Sequence, residues 1–272
     1  MKQDNKCLIV GLQDTGKSTY IAAFWAIEKD GDTGHQLSFD TYPDNTEYLD
    51  SIGNLWLEQE PVNRSPINAQ ELEFKLKDAE SGEKINLAIP DFKGERFKRL
   101  LQNEEPSEIV TWLADASSIL FFLPPTPERI FNEEMMEGLP EKTDYAPGDS
   151  FNVDEIEPWI QCIELLKYIH SVKGDIKIAF CVSKWDSNMG KKIKVDKWIA
   201  TEHLFFCTFV RKHFHHVKYY GVSAQGLDYE NRGELNVDKV SMLTDKRERA
   251  YISDGISIDH DITKPLSWLL ND

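Results

Sequence analysis

The sequence predicts an α/β architecture: a three-layer α/β/α sandwich in which helices cover both faces of a mainly parallel sheet of about six strands. Three observations carry this. Strand patterns alternate with helical periods along most of the 272 residues. The runs "KCLIV", "SSILFFL" and "DIKIAFCV" are continuously apolar, as strands buried on both faces must be. A glycine-bearing turn, "GLQDTGKS", joins the first strand to the first helix.

Taken in order, "KCLIV" is a buried strand ending at Gly11, and "KSTYIAAFWAIEK" follows with helical spacing. "HQLSFDTY" reads as a short strand. "PDNTEYLDSIGNLWLEQEP" reads as a helix begun by Pro43-Asp44 or Asn45 and stopped by Pro61. "AQELEFKLKDAESGEKINLAIPD" alternates apolar and polar residues around "ESGEK", the pattern of a hairpin. "ERFKRLLQNEEPSEIVTWLADA" is mostly helical with a break at Pro106, and "SSILFFLPP" is the next strand. After a Pro-rich, acidic stretch, "PWIQCIELLKYIHSV" is a helix with Pro158 in its first turn. "DIKIAFCVSKWD" is a buried strand, "VDKWIATEHLFFCTFVRKHF" one helix, "HVKYYGVSAQG" a strand, and "ITKPLSWLL" a closing helix. The expectation is one domain over 1–272, with elaborations near 41–66, 124–158 and 227–261.

Composition narrows the function classes. The net charge of -16 opposes broad contact with nucleic acid or an anionic membrane, so any phosphate must be held by a local concentration of donors. No apolar run reaches the length of a membrane helix, and no secretory leader is expected before the first strand. Four cysteines in apolar stretches, Cys7, Cys162, Cys181 and Cys207, suggest reduced thiols and a cytoplasmic protein.

"GLQDTGKS" matches G-x-x-x-x-G-K-[ST] at Gly11, Gly16, Lys17 and Ser18, a pattern expected by chance in roughly 1% of chains this long. It sits between a strand and a helix, as the chemistry requires. Glycines let backbone N–H groups, including those of Asp14, Thr15 and Thr19, converge on phosphate oxygens at the positive end of the new helix. Lys17 reaches the β- and γ-phosphates, and the Ser18 hydroxyl suits Mg²⁺.

Three further tetrads point to the nucleotide. "DFKG" places Asp91 where it would hold Mg²⁺ and the Gly94 N–H where it would meet the γ-phosphate. Such a tetrad occurs about once by chance in a chain of this size, so its position after a strand is what gives it weight. "SKWD" supplies Ser183, Lys184 and Asp186. A carboxylate there accepts from both N1–H and the exocyclic amine of guanine, a pair adenine lacks, which favours guanine by about 10²–10⁴. The Lys184 stem would lie along the base. Ser223-Ala224, at the end of the last strand, offers backbone N–H groups to the guanine O6.

With these motifs in this order, from Cys7 to about Gly226, the sequence resembles the translation-factor and Ras-like GTPases, the TRAFAC class of P-loop GTPases. The long inserted helix before the second strand and the closing "DITKPLSWLL" are similar to bacterial double-GTPase proteins of conflict and defence gene neighbourhoods. The resemblance implies a small G-protein-like fold, GTP/GDP and Mg²⁺ as ligands, slow hydrolysis, and switch segments read by a protein effector or a second GTPase-like partner. The alternatives are an adaptor holding structural nucleotide with little hydrolysis, and a P-loop kinase or ATPase, which would leave Asp186 and Ser223-Ala224 unexplained.

Departures from the class matter. Ser183 replaces Asn or Thr, so a weaker loop brace is expected, and Gln225 replaces Lys. Glu95 stands where many relatives use Gln to orient water; a carboxylate there is repelled by a γ-phosphate, which implies slow intrinsic turnover. For the switch hydroxyl that completes the Mg²⁺ shell, Ser65 is best placed, with Thr41 and Thr33 as alternatives. Arg64 is either an arginine finger in cis or a solvated loop residue. Asp14 either joins a K⁺ site beside the phosphates or caps its own loop. Trp185, inside "SKWD", is expected to report nucleotide by fluorescence. His203 and Cys207, four apart on a predicted helix, read as core packing rather than a metal site.

Overall fold

The computed structural model describes residues 5–29, 31, 33–62, 72–89, 107–125, 156–226 and 245–271. Among these residues one sheet of nine strands runs in the order β2-β3-β4-β1-β5-β6-β7-β8-β9. The strands are β1 (Asn5–Gly11), β2 (Leu37–Thr41), β3 (Leu72–Asp78), β4 (Lys84–Ile89), β5 (Ser118–Leu123), β6 (Lys177–Ser183), β7 (Val217–Ser223), β8 (Tyr251–Ser253) and β9 (Ile258–Asp259). The helices are α1 (Lys17–Glu28), α2 (Glu47–Leu57), α3 (Ser107–Asp115), α4 (Pro158–Lys173), α5 (Val195–Glu202), α6 (Leu204–His213) and α7 (Lys264–Leu270).

The expected six-stranded, mainly parallel sheet is corrected on both counts. Parallel pairing is confined to the centre, β4-β1-β5-β6-β7. The flanks are antiparallel: β2-β3-β4 on one side and β7-β8-β9 on the other. The first flank follows from the "ESGEK" hairpin, whose turn is closed by Asp78 Oδ1 accepting from the Glu80 and Ser81 N–H groups. The second comes from the stretch after Leu227, which carries no strand signal long enough to read: β8 has three residues and β9 two.

Alternation along the central strands sends residues to opposite cores. Cys7 and Ile9 pack with α1, α2 and α7, while Leu8 and Val10 pack with α3, α4, α5 and α6. Helix α2 begins at Glu47, later than the Pro43–Asn45 signal, because Asn45 Oδ1 accepts from the Glu47 N–H and sets the entry there. Its inner face docks on α1, with Trp25 Nε1 donating to Asp50 Oδ1 at 3.0 Å.

The single helix expected over "VDKWIATEHLFFCTFVRKHF" is two. His203 breaks it with a non-helical backbone (φ -132°, ψ 58°), and its ring stacks on Trp159 at 3.5 Å and 8°. Packing of an aromatic ring thus overrides local helical propensity. All four cysteines are free and buried. Among the described residues no helix is long and apolar enough to cross a membrane.

Candidate functional site

Strands β1, β6 and β7 run parallel, so their carboxyl ends lie on one edge of the sheet. That edge gathers Gly11, Ser183 and Ser223, the place where open α/β sheets bind ligands. Strand β4, parallel to β1, ends at Ile89, just before Asp91 in the sequence. Asp91, Gly94, Glu95, Arg64 and Ser65 themselves lie outside the described residues.

The first loop is wound tightly. Gly11 leaves β1 against β5, where a Cβ would lie 2.7 Å from the Phe122 carbonyl oxygen. Asp14 and Gly16 adopt left-handed backbone (φ 60° and 76°), turning the chain so that α1 starts at Lys17. Thr15 is buried, and its hydroxyl donates to the Leu12 carbonyl at 2.8 Å, which leaves its backbone N–H as the group it can offer an anion. Gly16 caps α1 with no side-chain partner, so the first helical N–H groups face outward as an anion-binding end.

Lys17 folds its ammonium back into the loop, donating to the carbonyls of Gly11 (2.8 Å) and Leu12 and to Thr15 Oγ1 (3.2 Å). Burial pulls its pKa down to about 8. A desolvated ammonium held by neutral carbonyls is a site that gains from an incoming polyanion. Ser18 and Thr19, half-buried in the first turn of α1, make no hydrogen bond through their hydroxyls among the described residues. The Ser18 hydroxyl is therefore available to a hard cation beside an anion, and it is an oxygen donor of the kind Mg²⁺ takes.

The second loop follows β6. Ser183 Oγ donates to the Thr15 carbonyl, and a Cβ on Gly16 would sit 3.3 Å from the Ser183 Oγ. Serine at this position is short enough to meet the close loop and still reaches its carbonyl. Lys184 takes a left-handed backbone (φ 50°), and both Lys184 and Asp186 are exposed. Between them Trp185 points the other way and is 0% exposed, packed on Trp198 at 5.3 Å. It seats on Gly221, where a Cβ would lie 2.1 Å from the indole. Trp185 is therefore a core anchor for the loop rather than a surface beside the base.

The third loop follows β7. Ser223 Oγ donates to Asp186 Oδ1 at 3.0 Å, joining the two base-side loops. Tyr251, paired with Ser223 across β7-β8, has its phenol pushed up to about 12 by burial and by the nearby Asp186 carboxylate. Behind Ala224 and Gln225 stand Trp56 and Arg249. Sequence reasoning missed Tyr251, Trp56 and Arg249. Trp56 and Ala224 are 168 residues apart, and no local pattern signals such a contact.

Of the switch alternatives, Thr33 donates to Glu28 Oε2 at 3.0 Å, at the far end of α1 from Ser18. Thr41 ends β2 and is exposed. Cys207 is buried in the core that His203 closes.

The family model described as Double-GTPase 1 matches residues 8–269. Among solved structures, this chain is similar to the GDP-bound Roco2 RocCORdC of Methanosarcina barkeri, at 14% identity and a TM-score of 0.35. That match covers 88% of this chain and 50% of the other, so the chain spans about half the length of that structure. No curated protein matches.

Proposed function

The chain belongs to the Double-GTPase 1 family, P-loop GTPases of double-GTPase type, and from that premise we propose that it is a guanine-nucleotide switch that hydrolyses GTP slowly. One observation carries the reading: the Ser183–Thr15 hydrogen bond ties the phosphate loop to the base-reading loop, making one cradle for the two ends of a nucleotide. In this proposal the loop amides of residues 14–19 and Lys17 hold the phosphates. Asp186 selects guanine, and Ser223-Ala224 meet O6. Mg²⁺, held by Ser18 and Asp91 with Ser65 completing its shell, would neutralise charge building on the β- and γ-oxygens.

The protein's own groups do the rest. Lys17 stabilises the leaving phosphate oxygens, the Gly94 N–H meets the γ-phosphate, and Arg64 supplies a second cation. Glu95 lies beside the attacking water and limits its activation. The order imposed on the segments bearing Ser65 and Gly94 is what a protein effector, or a second GTPase-like partner in a bacterial defence setting, would read.

Calorimetry with magnesium tests the binding half. GTP and GDP should bind and ATP should not, and Asp186→Ala should abolish the purine preference; a variant that keeps it sinks the assignment. Phosphate release over hours tests the catalytic half. Trapped GTP with no release would instead make the chain a nucleotide-stabilised adaptor.

A further inference from the structure

The base loop after β7 is held from behind by two buried residues from distant parts of the chain. Trp56, in the last turn of α2, donates its Nε1–H to the Ala224 carbonyl at 2.7 Å. Arg249, just before β8, donates its Nε–H to the Gln225 carbonyl at 2.8 Å. The two are locked to each other: Arg249 Nη2 donates to the Trp56 carbonyl, and the guanidinium carbon lies 4.0 Å over the indole. Trp56 is 0% and Arg249 6% exposed, so these bonds act where water cannot compete for them.

Fixing those carbonyls fixes the opposite side of the loop. In a trans peptide the N–H points away from the C=O, so the Gln225 and Gly226 N–H groups face away from Trp56 and Arg249. Ser223, at the start of the same loop, bonds Asp186. The Gln225 side chain adds a second sign of an absent polar partner. It is 8% exposed, and among the described residues neither its amide oxygen nor its nitrogen is hydrogen-bonded. A buried amide left unpaired is costly, so it marks a place where a ligand or its water would complete the bonding.

We infer that Trp56 and Arg249 are positioning residues for purine recognition. They hold the backbone from Ala224 to Gly226 so that the Gln225 and Gly226 N–H groups stand beside Ser223-Ala224 at the 6-oxygen of the base that Asp186 selects. A plain packing role for this pair would stabilise the fold without distinguishing one base edge from another. The inference rests on the guanine-nucleotide reading above.

The test compares GDP with 6-thio-GDP, which keeps N1–H and the exocyclic amine but replaces the 6-oxygen by a weak acceptor. Trp56→Phe removes the N–H donor and keeps a ring on Arg249. Calorimetry should show GDP weakened about fivefold in this variant, as for one lost hydrogen bond, with 6-thio-GDP within about twofold of wild type. Arg249→Lys, which keeps the charge but loses the fork, should act in the same direction, and it carries the comparison if Trp56→Phe does not fold. Equal weakening of both nucleotides, or of neither, overturns the inference while leaving the guanine reading intact. A wild-type chain that binds neither nucleotide overturns the guanine reading itself.

Discussion

Gly221→Ala is a one-carbon change with a consequence set by the packing of the loop after β6 that bears Lys184 and Asp186. The added Cβ would lie 2.1, 2.4 and 2.5 Å from Cγ, Cδ2 and Cδ1 of Trp185, all far inside contact distance. The indole cannot retreat. It is fully buried, and Trp198 stands against it edge to face at 5.3 Å. Overpacking of a well-filled core costs about 1–3 kcal/mol, and a trapped indole puts this site at the upper end, about 3 kcal/mol. At about 2–4 °C per kcal/mol for chains approaching this length, the thermal midpoint should fall by about 6–12 °C. Because Trp185 lies between Lys184 and Asp186, the same shift should displace the carboxylate and weaken GDP. Trp185→Phe shrinks the obstacle, so the double variant should be more stable than the sum of the two single effects, with a coupling of about 1–2 kcal/mol. The assay is thermal or urea unfolding of the four proteins, followed by GDP titration of the folded ones. A Gly221→Ala midpoint unchanged from wild type, or strictly additive effects, would refute this account of the loop.

Two further outcomes are expected. Lys17 titrates near 8 in the free protein, and a triphosphate returns it toward its ordinary 10.5, so the bound state holds more protons; affinity is full below about pH 8 and falls as pH rises through it, to about one-tenth at pH 9. Calorimetry in buffers of different ionisation heat should register that proton uptake, and Lys17→Arg should flatten the profile; a flat wild-type profile would contradict it. Ser183→Ala removes the bridge between the phosphate and base loops, so GDP should dissociate about three- to tenfold faster, as for one lost hydrogen bond. Stopped-flow release of a fluorescent GDP analogue measures this, and an unchanged rate would show that the bridge does not hold the cradle.

Most of the central sheet and the first loop were legible because their signals are local. A short, β-branched apolar run between turn residues reads as a strand buried on both faces, and "GLQDTGKS" states its own conformation through Gly11 and Gly16. The flanks were not legible in full. Strands β8 and β9 are too short to show a period; β8 exists because β7 offers it an edge, and β9 adds to β8. The break at His203 was invisible because the helix pattern continues through it, and only a stacking partner on α4 explains it.

The amino-acid order alone determined the tight turn after β1, the lysine and serine that follow it, and the tetrads that bear Asp186 and Ser223, since each depends on residues within a few positions of one another. Tertiary structure decided the rest. It turned Trp185 inward onto Gly221, brought Ser183 to Thr15, and set Trp56 and Arg249 behind Ala224 and Gln225. Those contacts join segments far apart in the chain, and their energy comes from close packing and buried hydrogen bonds that exist only once the sheet has placed the loops side by side.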